Sequence, residues 1–143
     1  RLLQKAPEKK ADILRTRAYV FARSGKYERA VQDRKTIFEM GEGTIRDYYL
    51  ATDHALSAGQ FTQAVSWFKE VLRLGEEQNE DWFKSASYFL LAYAQMKLEQ
   101  YQEAIMNLDR AVADVAMPLP EMCGMCNQQQ LREEIKRREA RAK

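Results

Sequence analysis

The sequence is short of the residue types that most site chemistry needs. One histidine and two cysteines stand among 143 residues, too few for a four-ligand zinc site within one chain. Cys123-Gly-Met-Cys126 has the two-residue gap shared by zinc sites and dithiol oxidoreductases. The only histidine, His54, is expected inside a helix, and the motif is preceded by the proline-broken stretch Met117-Pro-Leu-Pro120 rather than by a strand. Cys123 and Cys126 are therefore read as linker thiols, reduced in a cytoplasmic location, with zinc shared across a dimer as the alternative. No glycine-rich phosphate loop, no nucleophile with an oriented base and no paired-carboxylate signature can be placed. The chain is expected to be no enzyme and to carry no cofactor.

Long apolar runs are missing too. None approaches the roughly 18 residues of a spanning helix, which argues against membrane insertion. The first residues, Arg1-Leu-Leu-Gln-Lys-Ala-Pro7, lack the apolar centre of an export signal. Residue 1 is Arg rather than Met, so the sequence is expected to be a piece of something longer. Charge of one sign is also lacking: 23 basic and 21 acidic side chains leave +2, unlike a dedicated polyanion binder. Basic and aromatic residues do not alternate along one stripe, so nucleic acid is not an expected partner. What is present, 45% hydrophobic and 31% charged residues, suits a single domain with a packed core.

The informative feature is a repeat. Ser24-Gly-Lys-Tyr-Glu-Arg-Ala30, Ala58-Gly-Gln-Phe-Thr-Gln-Ala64 and Leu98-Glu-Gln-Tyr-Gln-Glu-Ala104 each place an aromatic three positions before an alanine. The alanines are 34 and then 40 residues apart. Each signature lies between two apolar stretches of helical spacing, which predicts helix, tight turn, helix. Gly25 and Gly59 suit a left-handed cap, whereas Glu99 must be accommodated otherwise. Ala30, Ala64 and Ala104 are expected where two helices cross closely. Thr44 and Asp47 have capping-box spacing, with Gly41 and Gly43 closing the helix before them. Asn79 is expected to cap the following helix, with Glu80 and Asp81 near its positive end. The longer second period is assigned to extra residues from Gly75 to Asn79 and an extra helical turn through Trp82 and Phe83.

With these signatures the chain resembles the tetratricopeptide repeat family, whose units are antiparallel helix pairs of 34 residues. The resemblance is carried by Leu14, Ala18, Phe21, Ala30 and Ile37, by Tyr48, Ala64, Phe68 and Val71, and by Tyr88, Leu91, Ala92, Ala104, Leu108 and Ala111. Arg34 departs from the pattern at a large apolar position, and Thr52 and Ala55 depart within the second unit. The resemblance implies an all-α, right-handed superhelical solenoid of three such pairs plus a C-terminal capping helix. Its expected divisions are an N-terminal extension over 1–10, repeats over 11–44, 45–80 and 81–116, a Pro/Cys linker over 117–127 and a basic capping helix over 128–143.

The resemblance also implies a partner, a protein or peptide held in a concave groove lined by the first helix of each pair. The stripe expected to line it comprises Arg15, Tyr19 and Arg23, then Arg46, Tyr49, Asp53 and Leu56, then Phe89, Tyr93 and Met96. A clamp for a terminal carboxylate is not expected, because Arg15 alone is basic at a matching position while Tyr19, Leu50, Ala86 and Leu90 occupy the others. The aromatics favour apolar or aromatic anchors on the ligand. The competing reading is that Tyr88 to Met96, apolar nearly all round, is a helix sandwiched in the core. Residues 1–35 carry a net +7, residues 36–127 a net −8 and residues 128–143 a net +3. That asymmetry leaves a homo-oligomeric assembly module as the second functional reading.

Overall fold

The computed structural model describes residues 7–112 and 128–143, and among them all regular structure is helical. The described helices are α1 Pro7–Arg23, α2 Tyr27–Glu39, α3 Ile45–Ser57, α4 Phe61–Gln78, α5 Lys84–Lys97, α6 Tyr101–Val112 and α7 Gln128–Ala142. They pack as adjacent pairs, α1 with α2, α3 with α4 and α5 with α6. Successive pairs meet through α2 with α3 and α4 with α5, and α7 lies on α6 and reaches α5.

One backbone device makes each hairpin turn. Gly25, Gly59 and Glu99 have φ of 77°, 75° and 62°. The amide of the next residue bonds back across the helix end: Lys26 to the Phe21 carbonyl, Gln60 to Ala55 and Gln100 to Gln95, each at 2.8 Å. These are Schellman caps, which satisfy carbonyls that a helix end leaves without amide partners. Glu99 thus adopts the same left-handed conformation as the two glycines, against the steric preference of a residue with a Cβ. Immediately after each turn, Ala30, Ala64 and Ala104 are completely buried.

The second hairpin begins as its chemistry predicts. Thr44 extends its backbone, its hydroxyl accepts from the Asp47 amide at 3.2 Å, and the Asp47 carboxylate accepts from the Thr44 amide at 3.0 Å. Its end differs from expectation. Asn79 does not cap the following helix; with φ 60° it closes α4 as a left-handed C-cap, and α5 starts only at Lys84. Trp82 and Phe83 form a turn, with the Lys84 amide on the Asp81 carbonyl at 3.1 Å, instead of an added turn of helix. Gly75 is not in the connection either. It lies inside α4, buried, and the Phe83 ring fills the space that a Cβ there would need. The longer period therefore comes from an extended α4 and a turn that folds Phe83 back onto Gly75.

The main core runs from Val31 through Ala51, Ala55, Trp67 and Phe68 to Leu90, Leu108, Leu131 and Ile135. Leu131 and Ile135 project from α7 at a spacing of four residues, and both are completely buried. Phe38 stacks on Tyr48 with centroids 3.8 Å apart and meets Trp67 edge-on at 5.3 Å, tying α2 to α3 and α4.

Candidate functional site

Arg34 explains its own departure from the repeat pattern. It is buried on α2, and its Nη1 donates to Asp47 Oδ1 at 3.0 Å. Arg15 on α1 donates to both oxygens of the same carboxylate at 2.8–3.1 Å and to the Glu42 carbonyl at 2.9 Å. Burial pushes the Asp47 carboxyl up, but the hydrogen bonds from Arg15 and Thr44 outweigh it and hold the group below its ordinary value. Burial opposes the charge of Arg34, and Asp47 offsets part of that effect. Arg17 and buried Asp33 form a second pair at 2.7 Å within the first hairpin. The first two hairpins are thus joined through a buried polar network as well as through the apolar contacts of Val31 and Phe38.

This network occupies the guanidinium of Arg15, whose side chain stays partly exposed. Tyr19 remains 58% exposed, with the Arg23 guanidinium 5.8 Å from its ring centre, and Arg46 is exposed on α3. Tyr49 and Asp53 are partly exposed. The other four expected lining residues belong to the interior: Leu56 at 5% exposure, Phe89 and Met96 at 0% and Tyr93 at 9%. Leu56 is buried on α3; for Phe89, Tyr93 and Met96 the cause lies in the packing of α5, which meets α4, α6 and α7 and so buries residues nearly all round. Tyr93 is further enclosed by Phe61, edge-on at 6.4 Å, and by Lys97, whose ammonium is 5.6 Å from its ring centre. The accessible part of the expected stripe is therefore confined to α1 and α3.

Trp82 joins that part, although the repeat spacing did not mark it. It is 46% exposed, meets Tyr49 edge-on at 5.7 Å and donates its indole N–H to Glu80 at 3.0 Å. The one available signal was an aromatic pair, Trp82-Phe83, directly ahead of a helix that opens with Lys84 and not with a capping residue. Asp53 follows Tyr49 by one turn of α3. Its Oδ1 is buried without a hydrogen-bond partner, and burial raises the carboxyl to about 6. The neighbouring His54 is buried too; burial and the charge of Arg34 bring it down to about 4.

Among the described residues no group of three or more His, Cys, Asp or Glu side chains is placed to hold a metal, and Cys123 and Cys126 lie outside them. No described helix is long and apolar enough to cross a membrane.

Repeated caps, crossing alanines and pairwise packing define a protein built from helical hairpins. The tetratricopeptide repeat family model matches residues 85–113, which span nearly all of α5 and all of α6, and the pairwise packing of the other described helices is consistent with a repeat of this type. No curated protein matches the chain. Repeats of this type generally mediate protein–protein interaction.

Proposed function

We propose that this chain is a non-catalytic scaffold, located in the cytoplasm, that binds a peptide or protein segment. The hairpins stack into a right-handed superhelix whose concave side is formed by α1, α3 and α5, and the segment lies along α1 and α3. The observation that carries this reading is the accessibility of Tyr19, Tyr49 and Trp82 beside a fully packed α5. Tyr49 and Trp82 hold each other edge-on and so lose little further conformational freedom on binding, and tyrosine and tryptophan combine apolar area with a polar handle. The contribution of α5 is rigidity.

A random-peptide display library selected on the protein, followed by hydrogen-exchange mapping of the enriched peptides, tests the reading. Protection is expected on α1, α3 and the Asp81–Phe83 turn, and Tyr19→Ala with Tyr49→Ala should weaken capture. The outer surface offers a rival groove between α4, α5 and α6, where Leu72, Tyr88, Leu91, Met106 and Arg110 meet. Protection confined to that groove, or capture unaffected by the two substitutions, overturns the proposal.

Self-association has one observation in its favour. Ile13 and Val20, seven residues apart on α1, are each more than half exposed on the basic first hairpin. Light scattering that shows a concentration-dependent mass, abolished by Ile13→Glu, would support that assembly reading; a constant monomer mass would remove it.

A further inference from the structure

The acidic side chain in the accessible stripe has no counter-charge. Asp53 makes no hydrogen bond or ion pair with any described residue, whereas Asp33 and Asp47 both hold arginines. Its Oδ1 is sealed in the protein, yet the residue as a whole is partly exposed, so the carboxylate reaches the surface by its other oxygen. A charge half removed from water and left unpaired works against the fold, and burial alone holds its carboxyl at about 6. At neutral pH the group is still mostly an anion. Beside it, one helical turn earlier, Tyr49 carries the exposed ring of Trp82, and Glu80 is fixed on the indole N–H. Carboxylate and ring faces at one place match a group that is both cationic and able to lie on a π surface. The surrounding stretch, residues 36–127, has a net charge of −8, which complements such a ligand.

We propose that Asp53, Tyr49 and Trp82 form a subsite that receives a lysine or arginine side chain of the bound peptide. The proposal rests on the groove reading above and specifies what the groove selects. The cation pairs with the open oxygen of Asp53 and lays its alkyl stem or guanidinium plane against the Tyr49–Trp82 pair. Nothing in the first hairpin duplicates this arrangement, because Arg15 and Tyr19 occupy the positions that correspond to Tyr49 and Asp53 at the 34-residue spacing. The subsite therefore also sets the register of the peptide.

The test is a random 12-residue display library selected in parallel on the wild-type protein and on Asp53→Asn, which keeps the shape of the side chain and removes its charge. Wild type should enrich peptides with a basic residue at a constant position. Asp53→Asn should enrich peptides without that preference. For one selected peptide, replacing its basic residue by norleucine should weaken binding to wild type about ten-fold or more, and binding to Asp53→Asn about two-fold or less. Thermal melts at pH 7.5 supply a readout that a purely structural Asp53 would move the other way: the variant should melt higher. Enriched peptides with no basic preference, or with the same preference on both proteins, overturn the subsite and leave the groove reading standing. A library that enriches nothing on wild type overturns both.

Discussion

Asp47 is where single-residue chemistry decides most. One carboxylate closes the capping box of α3, accepts from Arg15 across the hairpin junction and neutralises buried Arg34. Truncating one member of a buried charge set leaves the others uncompensated, at a cost of about 3–5 kcal/mol. Asp47→Ala should therefore lower stability by about that amount in urea denaturation, well beyond the roughly 1 kcal/mol of a lost cap. Asp53 and His54 are a pair of opposite sense. The Asp53 carboxyl is raised from 3.8 to about 6, so the folded state binds the extra proton and stability from this residue falls as pH rises through that window. The His54 imidazole is lowered from 6.5 to about 4, so the unfolded state binds the extra proton and stability falls as pH drops through nearly the same window. In the wild type the two slopes largely offset. Asp53→Asn should expose the histidine slope, a loss of up to about 3 kcal/mol between pH 6.5 and 4. His54→Leu should expose the aspartate slope, a gain of similar size on acidification from pH 6 to 4. Chemical denaturation across pH 4–8 checks both signs.

At the scale of helices, the turns and the α4–α5 contact behave differently from what propensity alone would suggest. Glu99 takes a conformation that Gly25 and Gly59 adopt freely. Glu99→Gly should raise stability by about 0.5–1 kcal/mol, since relief of the left-handed strain exceeds the added freedom of the unfolded chain. Gly75 makes the reverse case. An alanine in the interior of a helix is ordinarily worth about 1 kcal/mol over glycine. Here the Phe83 ring occupies the space of the missing Cβ, and that ring is itself completely buried. Gly75→Ala should cost about 1–3 kcal/mol through overpacking. In a Phe83→Ala background the same substitution should become stabilising, a reversal that a double-mutant cycle in urea would display.

In the whole molecule, α7 covers the last hairpin, lying on α6 and reaching α5. A stack of hairpins has an open face at its end, and Leu131 and Ile135 fill it here in the same cluster as Phe89, Tyr93 and Met96. Leu131→Ala and Ile135→Ala should each cost about 2–5 kcal/mol. Hydrogen-exchange protection should fall first in α5 and α6, with α1 and α2 little affected, because hairpin stacks couple mainly to their neighbours.

Hairpin identity, turn positions and the crossing alanines were legible in the chain because each depends on residues within a few positions: an aromatic and an alanine at fixed spacing, a glycine or its substitute before them. Such local patterns carry backbone conformation directly. The sequence pattern did not show which residues of the expected stripe on α1 and α3 are accessible, since Arg15 serves Asp47, 32 residues away, and the exposed Trp82 lies in a turn outside the repeated stripe. On α5 the pattern could not distinguish an inner surface from a buried one: periodicity reports which residues share a face, and whether that face meets water depends on what else packs against it. Three-dimensional packing settled that question by enclosing α5 between α4, α6 and α7, and it also folded Phe83 onto Gly75 and left Asp53 half desolvated without a partner. Each depends on what surrounds a residue in space and not on its place in the helical period, because burial, unlike helix spacing, is a property of the assembled volume.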